Sequence, residues 1–249
     1  MALFIKISKK IAEAPRIDFG DLFKASVEIF KKVWLQGFLL QLITIALSLP
    51  LVIFNFSILS ESGLYTNSFD FVEKIVKDDA VVQELGSYTI IYYLLSIAVA
   101  IISTLLSFGF FRIIKQMDDG LNFQVSDFFY FFGNKRLKKS LLLILAYVGV
   151  ALLAVLMCVL PIFYVMIPLM FVTPIFVFNP ELTISEIFKS AFALGHKKWG
   201  ITFAITILNI ITLYILILFT CGLGSLFFGC FLQMPIYVLY KKIISFEDV

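Results

Sequence analysis

The chain holds a single histidine, His196, and three cysteines, Cys158, Cys221 and Cys230, with no CxxC spacing anywhere. Zinc and non-haem iron sites draw on several His, Cys or carboxylate ligands, so one imidazole and scattered thiols leave a metalloprotease or a His-ligated oxygenase without its ligands. Cys158, Cys221 and Cys230 fall inside apolar stretches or at their ends. They read as small apolar residues, with a Cys221 to Cys230 bridge as the alternative. Aspartyl proteolysis within a membrane needs paired carboxylates there, and serines such as Ser103 and Ser107 need a nearby base. The apolar stretches supply neither. Asp118-Asp119-Gly120 reads as a polar turn rather than a metal site. A surface enzyme would require Asp118, Asp119, Asp127 and His196 to converge. No catalytic, metal-binding or cofactor-binding residue is therefore assigned. What the apolar stretches do hold is neutral polar groups, of which Gln41, Asn209 and Gln233 are candidates to line a path for a substrate. Helix-to-helix hydrogen bonding is their commoner use.

These groups must be positioned by elements that suit lipid. Of 249 residues 61% are apolar, 16% aromatic and 15% charged, with a mean hydropathy of +1.02. Soluble domains carry roughly 25% charge. In a bilayer every backbone polar group must be satisfied within the protein, which leaves helices or a closed barrel. The length and continuity of the apolar runs choose helices. A crossing needs about 20 residues. Six charge-free stretches qualify: Val33 to Phe56, Ser87 to Phe111, Ser140 to Leu160, Pro161 to Phe178, Gly200 to Thr220 and Gly222 to Tyr240. The expected fold is all-α, a single polytopic domain over residues 1–249.

Charge decides how Ser140 to Phe178 is threaded. If it crosses twice, with a turn near Pro161, 18 of the 20 Lys and Arg residues share one side and only Lys74 and Lys77 lie opposite. The positive-inside bias then puts both termini in the cytoplasm. Pro168 and Pro174 make the second arm the one expected to kink or lose helicity. The outer loop, residues 57–86, carries a net −4, and Phe71, Val72, Ile75, Val76 and Val82 recur at helical spacing as an amphipathic lid or an ordinary connector. The amino end lacks the short apolar core of a cleaved signal. Leu3, Phe4, Ile7 and Ile11 share a helical face beside Lys6, Lys9 and Lys10, as in a helix lying among headgroups.

Self-similarity is the most informative pattern. A shift of 165 residues lays Asp21-Leu22-Phe23-Lys24 on Glu186-Ile187-Phe188-Lys189, then Lys32 on Lys197, Trp34 on Trp199 and Phe38 on Phe203; a shift of 106 brings in Asp127-Phe128-Phe129 and Lys138-Lys139. Each copy opens on a small residue and an acid, suited to a helix start. An amphipathic turn or two follows, and then a basic pair at the mouth of an apolar stretch. Gly133-Asn134 should end the middle helix early. The unit reads as a cytoplasmic amphipathic elbow helix preceding a hairpin of two crossings, three times over. Lys31, Lys32, Trp34, Lys138, Lys139, His196, Lys197, Lys198 and Trp199 are the candidate interface anchors. Each lysine near anionic headgroups contributes about 1 kcal/mol, and the indoles suit the interface.

A Pro-punctuated span (Pro161, Pro168, Pro174, then Asn179-Pro180-Glu181) followed by an amphipathic elbow from Ser185 to Trp199 resembles the YciC-type bacterial inner-membrane proteins and the related membrane domain of some glycerophosphodiester phosphodiesterases. The resemblance implies six helices in a bacterial inner membrane, with an activity largely undefined, and carries over no catalytic residue. The expected function is non-enzymatic: organising lipid, or a membrane partner or second copy, through cytoplasmic interfacial helices. The alternative is a carrier or channel for a small apolar or amphipathic compound. Basic residues spread along the membrane boundary do not suit nucleic acid.

Overall fold

The structure is a computed structural model and describes residues 2–61, 79–157 and 160–246. The helices, in order, are α1 (Ala2–Ala12), α2 (Phe19–Glu61), α3 (Asp79–Asp118), a 3₁₀ segment (Val125–Phe132), α4 (Asn134–Leu156), α5 (Leu160–Phe178), α6 (Ile184–Lys197), α7 (Trp199–Phe219), α8 (Gly224–Phe228), a second 3₁₀ segment (Gly229–Gln233) and α9 (Met234–Ile243). Among the described residues there is no strand. Five helical stretches are long and apolar enough to cross a membrane: Phe19–Phe56, Gly86–Asp118, Arg136–Leu156, Pro161–Phe178 and Trp199–Phe219. The lid expected around Phe71, Val72, Ile75 and Val76 lies outside the described residues, as does Cys158. Val82 belongs to the backbone of α3.

The chain forms two compact units, one of Met1–Gln41 with Leu105–Val249 and one of Leu42–Thr104. The second is made of parts of α2 and α3. There the Phe54 and Tyr88 rings meet edge to face at 6.3 Å. Leu49, Val52, Ile53, Ile90, Leu94 and Ile97 are exposed, the outward apolar surface that lipid, not water, would cover.

Helix starts follow local chemistry. The Asp18 carboxylate, just before α2, accepts from the Gly20 and Asp21 amides at 2.8 and 3.3 Å. Asp127 accepts from the Gln124 amide at 2.9 Å as the first 3₁₀ segment opens. Thr183 and Glu186 form a reciprocal capping box at the start of α6, with Glu186 accepting from the Thr183 amide at 2.9 Å. Cap contacts thus recur three residues before Asp21, Asp127 and Glu186, so Asp18, Gln124 and Thr183, rather than the expected Gly20, Ser126 and Ser185, open each segment. α3 ends in a Schellman motif: Gly120 takes the left-handed conformation (φ +75), its amide donates to Met117 O, and Leu121 N–H donates to Gln116 O.

Three sequence expectations change. The first elbow is not a separate helix, because nothing between Asp21 and Val33 breaks the hydrogen-bond ladder and α2 runs on unbroken. The other two segments do break, at extended Gly133 and at Lys198 (φ −111, ψ 18). α5 keeps its helix through Pro168 and Pro174. The interruption falls instead in the last apolar stretch. Gly224 and Gly229 weaken the helix there, the Met234 amide reaches Phe231 O three residues back, and Pro235 has no amide, so α8, a 3₁₀ turn and α9 replace one continuous span. Finally, α1 gives part of its apolar face to the protein: Ile7 and Ile11 are buried where α1 packs on α6, while Leu3 and Phe4 are half-buried.

Candidate functional site

The amphipathic face of α6 is buried as well, with Ile187, Ala191, Leu194 and Gly195 all inaccessible. α6 turns back along α5 so closely that a Cβ on Gly195 would overlap the Pro168 backbone, lying 2.8 Å from its nitrogen. The absence of a side chain at Gly195 sets that approach. The sequence reading left the bilayer and the bundle as alternative seats for this face, and the structure places it on the bundle. One turn along α5 from that approach, Tyr164 meets His196 of α6, with Oη to Nδ1 at 2.5 Å. The Trp199 ring stacks on Tyr164 at 6.3 Å and on Phe203 at 4.8 Å, and its indole N–H donates to Tyr164 O at 3.2 Å.

Where helices end, carbonyls are left without amide partners, and lysines from distant parts of the chain meet them. Lys139 on α4 donates to Pro180 O, and to Leu182 O at 2.6 Å. Lys10 on α1 donates to Ile244 O at 2.6 Å. Lys197 donates to Ala12 O at the end of α1, and Lys198 to Pro15 O just beyond it. A cation beside a helix C-terminus is stabilised by about 0.3–1 kcal/mol when exposed and more when sheltered. Lys198 is buried. Burial and the charge of adjacent Lys197 hold its ammonium below the usual lysine range.

The strongest electrostatic cluster centres on Asp118, the last residue of α3. Its Oδ1 accepts from Lys32 of α2 at 3.0 Å, and its Oδ2 from Lys241 at 2.5 Å and the Tyr237 hydroxyl at 3.0 Å, both on α9. The Asp118 side chain is 5% exposed, the two ammonium side chains 46% each. Two cations on one sheltered carboxylate leave a local excess of positive charge and pin three helices at one point.

Lys32, Lys139, Lys197 and Lys198, four of the expected headgroup anchors, are thus engaged within the protein. Lys31 and Lys138 are exposed, and Trp34 is an exposed indole. The acids and base that a surface enzyme would bring together are dispersed. Asp118 serves the hub, Asp119 pairs with Lys115 at 3.2 Å, Asp127 caps its own segment and His196 meets Tyr164.

The three amides gather along the interrupted stretch. Gln41 on α2 lies against Gly229, where a Cβ would overlap its Nε2. Asn209 on α7 is buried, with neither its Oδ1 nor its Nδ2 bonded to the protein. It borders a cavity of about 20 Å³ lined by Phe228, Phe231 and Leu232 among others, space for one water. Gln233 Oε1 is buried without a protein partner.

Sequence reasoning missed the Asp118 hub because its members are far apart in the chain. The available signal was a basic pair, Lys241-Lys242, in the last turn of a helix with no acid of its own. No family model matches the chain, and no curated protein or solved structure is significantly similar to it.

Proposed function

We propose that this chain is a non-enzymatic, multi-pass protein of a bacterial inner membrane, with both termini in the cytoplasm, that organises anionic lipid or a membrane partner through a basic cytoplasmic face. The sixth crossing would be the interrupted stretch from Gly224 to Ile243, about 30 Å long at helical rise, and the three capped segments would be copies of one elbow. The observation that carries the proposal is the lysine clasping: Lys10, Lys139, Lys197, Lys198 and the Asp118 hub fix the helix ends, while Lys31, Lys138 and Trp34 stay exposed to meet a partner or headgroups. By contrast, the buried Asn209 borders space for a single water. A preorganised face loses little entropy on binding. Reconstitution into mixed phosphatidylglycerol and phosphatidylcholine nanodiscs should enrich the anionic lipid around the protein. Equal retention of both lipids, with no protein co-purifying, would refute the reading.

The second reading, a carrier for a small apolar or amphipathic compound, is favoured by one observation. Gln41, Asn209 and Gln233 lie along a stretch where the α-helix gives way to a 3₁₀ segment, related to the interrupted helices around which transporter sites are built. Solute uptake by proteoliposomes that Asn209→Leu abolishes would favour it over lipid organisation.

A further inference from the structure

Tyr130, in the first 3₁₀ segment, has a guanidinium on each face. The Cζ of Arg112 lies 3.6 Å from the ring centroid and that of Arg136 3.8 Å. Two planar cations this near one centroid must flank the ring, since on one side they would overlap. Arg112 comes from α3 and Arg136 from the first turn of α4. Among the described residues neither forms an ion pair with a carboxylate, and Arg112 Nη1 is buried without an acceptor. The acids nearest in sequence are taken: Asp118 by Lys32 and Lys241, Asp119 by Lys115, and Asp127 by the Gln124 N–H that it caps.

The balance of magnitudes shows what is missing. A ring face contributes about 0.5–2 kcal/mol to a cation, whereas sheltering a charge from water, as at Arg112 Nη1, costs several kcal/mol unless a counter-charge is close; Arg136 is exposed. Tyr130 orders the two guanidinium groups without neutralising either. Planar, forked and rigidly stacked, they are arranged for bidentate bonds to a phosphate, with N–H···O distances of about 2.7–2.9 Å. Beside them Phe129, Val125 and Leu121 are exposed, an apolar surface suited to acyl chains.

Resting on the reading of this face as a lipid contact, we propose that Arg112 and Arg136, aligned by Tyr130, form a phosphate-binding clamp. The recognised group is a phosphate oxyanion carried by a lipid headgroup or free in the cytoplasm.

The test measures the thermal midpoint of the full-length protein in micelles titrated with phosphatidylglycerol, with diacylglycerol of the same chains, or with inorganic phosphate. Phosphatidylglycerol should raise the midpoint and diacylglycerol should not. Arg136→Gln should weaken the apparent phosphatidylglycerol affinity at least threefold, Arg136→Lys less, and Tyr130→Leu should reproduce the Gln effect by releasing the stack. Stabilisation by millimolar inorganic phosphate, lost in the same variants, would assign the clamp to a soluble ligand. Because Arg136 is exposed, its variants test the clamp without disturbing the core. A response to phosphatidylglycerol that survives both Arg136→Gln and Tyr130→Leu would overturn the clamp while leaving the lipid-organising reading intact. The absence of any response to either phosphate source in the unmodified protein would overturn the clamp outright, and the nanodisc enrichment would still decide the broader reading separately.

Discussion

Replacing Asp118 by Asn keeps the shape of the hub and removes its charge. The carboxylate accepts from two ammonium groups and a phenol. A sheltered hydrogen bond to a charged group contributes about 1.5–3 kcal/mol, while a surface ion pair contributes about 0–1. Lys32 and Lys241 are each 46% exposed, so each is discounted to about 1 kcal/mol, and the Tyr237 bond adds about 1. The amide of Asn would also turn donor hydrogens toward one of these donors. The loss is about 2–3 kcal/mol, and since 1 kcal/mol moves the midpoint of a chain of this size by about 2–4 °C, the thermal midpoint in detergent should fall by roughly 5–10 °C. Lys241→Met alone should lower it by about a third of that. Once Asp118 is neutral, Lys241→Met should add almost nothing, because the double-mutant cycle isolates the shared interaction. A shift under about 1 °C for Asp118→Asn, or full additivity of the two changes, would refute the hub as the pin joining α2, α3 and α9.

Glycine substitutions should separate rigid from yielding contacts. Gly195→Ala forces its methyl onto the Pro168 backbone, and Gly109→Ala onto Phe128, whose Cα would lie 2.8 Å away. Each should destabilise by about 1–3 kcal/mol, whereas Gly229→Ala meets only the movable end of Gln41 and should cost under half as much by the same thermal assay. Thr183→Ala should remove about 0.5–2 kcal/mol by uncapping α6, read as faster hydrogen exchange in residues 184–188. Hydrogen bonds from the Thr183 amide and hydroxyl hold the Glu186 carboxyl below the usual glutamate range. Its contribution is complete above the ordinary glutamate pKa and disappears as pH falls through the depressed folded value. Glu186→Ala should flatten that part of the acid-stability curve, and an unchanged curve would remove Glu186 from the cap.

Helical class and most apolar segments were legible because lipid permits so few backbone solutions. Gly120 announced a real break through its left-handed conformation, and Gly133 marks another in an extended one. The misjudged breaks share a different cause. Pro168 and Pro174 advertise a loss of helicity, yet α5 stays helical through both. Gly224, Gly229 and Pro235 punctuate the last stretch no more loudly, and there the helix does break. Amphipathicity was read correctly in residues 2–12 and 184–197, but a periodic apolar stripe does not say whether protein or lipid will cover it. The same limit applies to charge: Lys139, Lys197 and Lys198 have the composition of headgroup anchors, and only long-range folding aims them at carbonyls.

The clasp from Lys10 to Ile244 joins positions 234 residues apart, and those from Lys197 and Lys198 tie residues 12 and 15 to the last third of the chain. The ribosome delivers α1 well before α6 and α9, so the clasps through Lys10, Lys197 and Lys198 must wait for residues synthesised much later. A bulky tag fused ahead of Met1 would compete with that late docking, whereas one at the other terminus would not delay it.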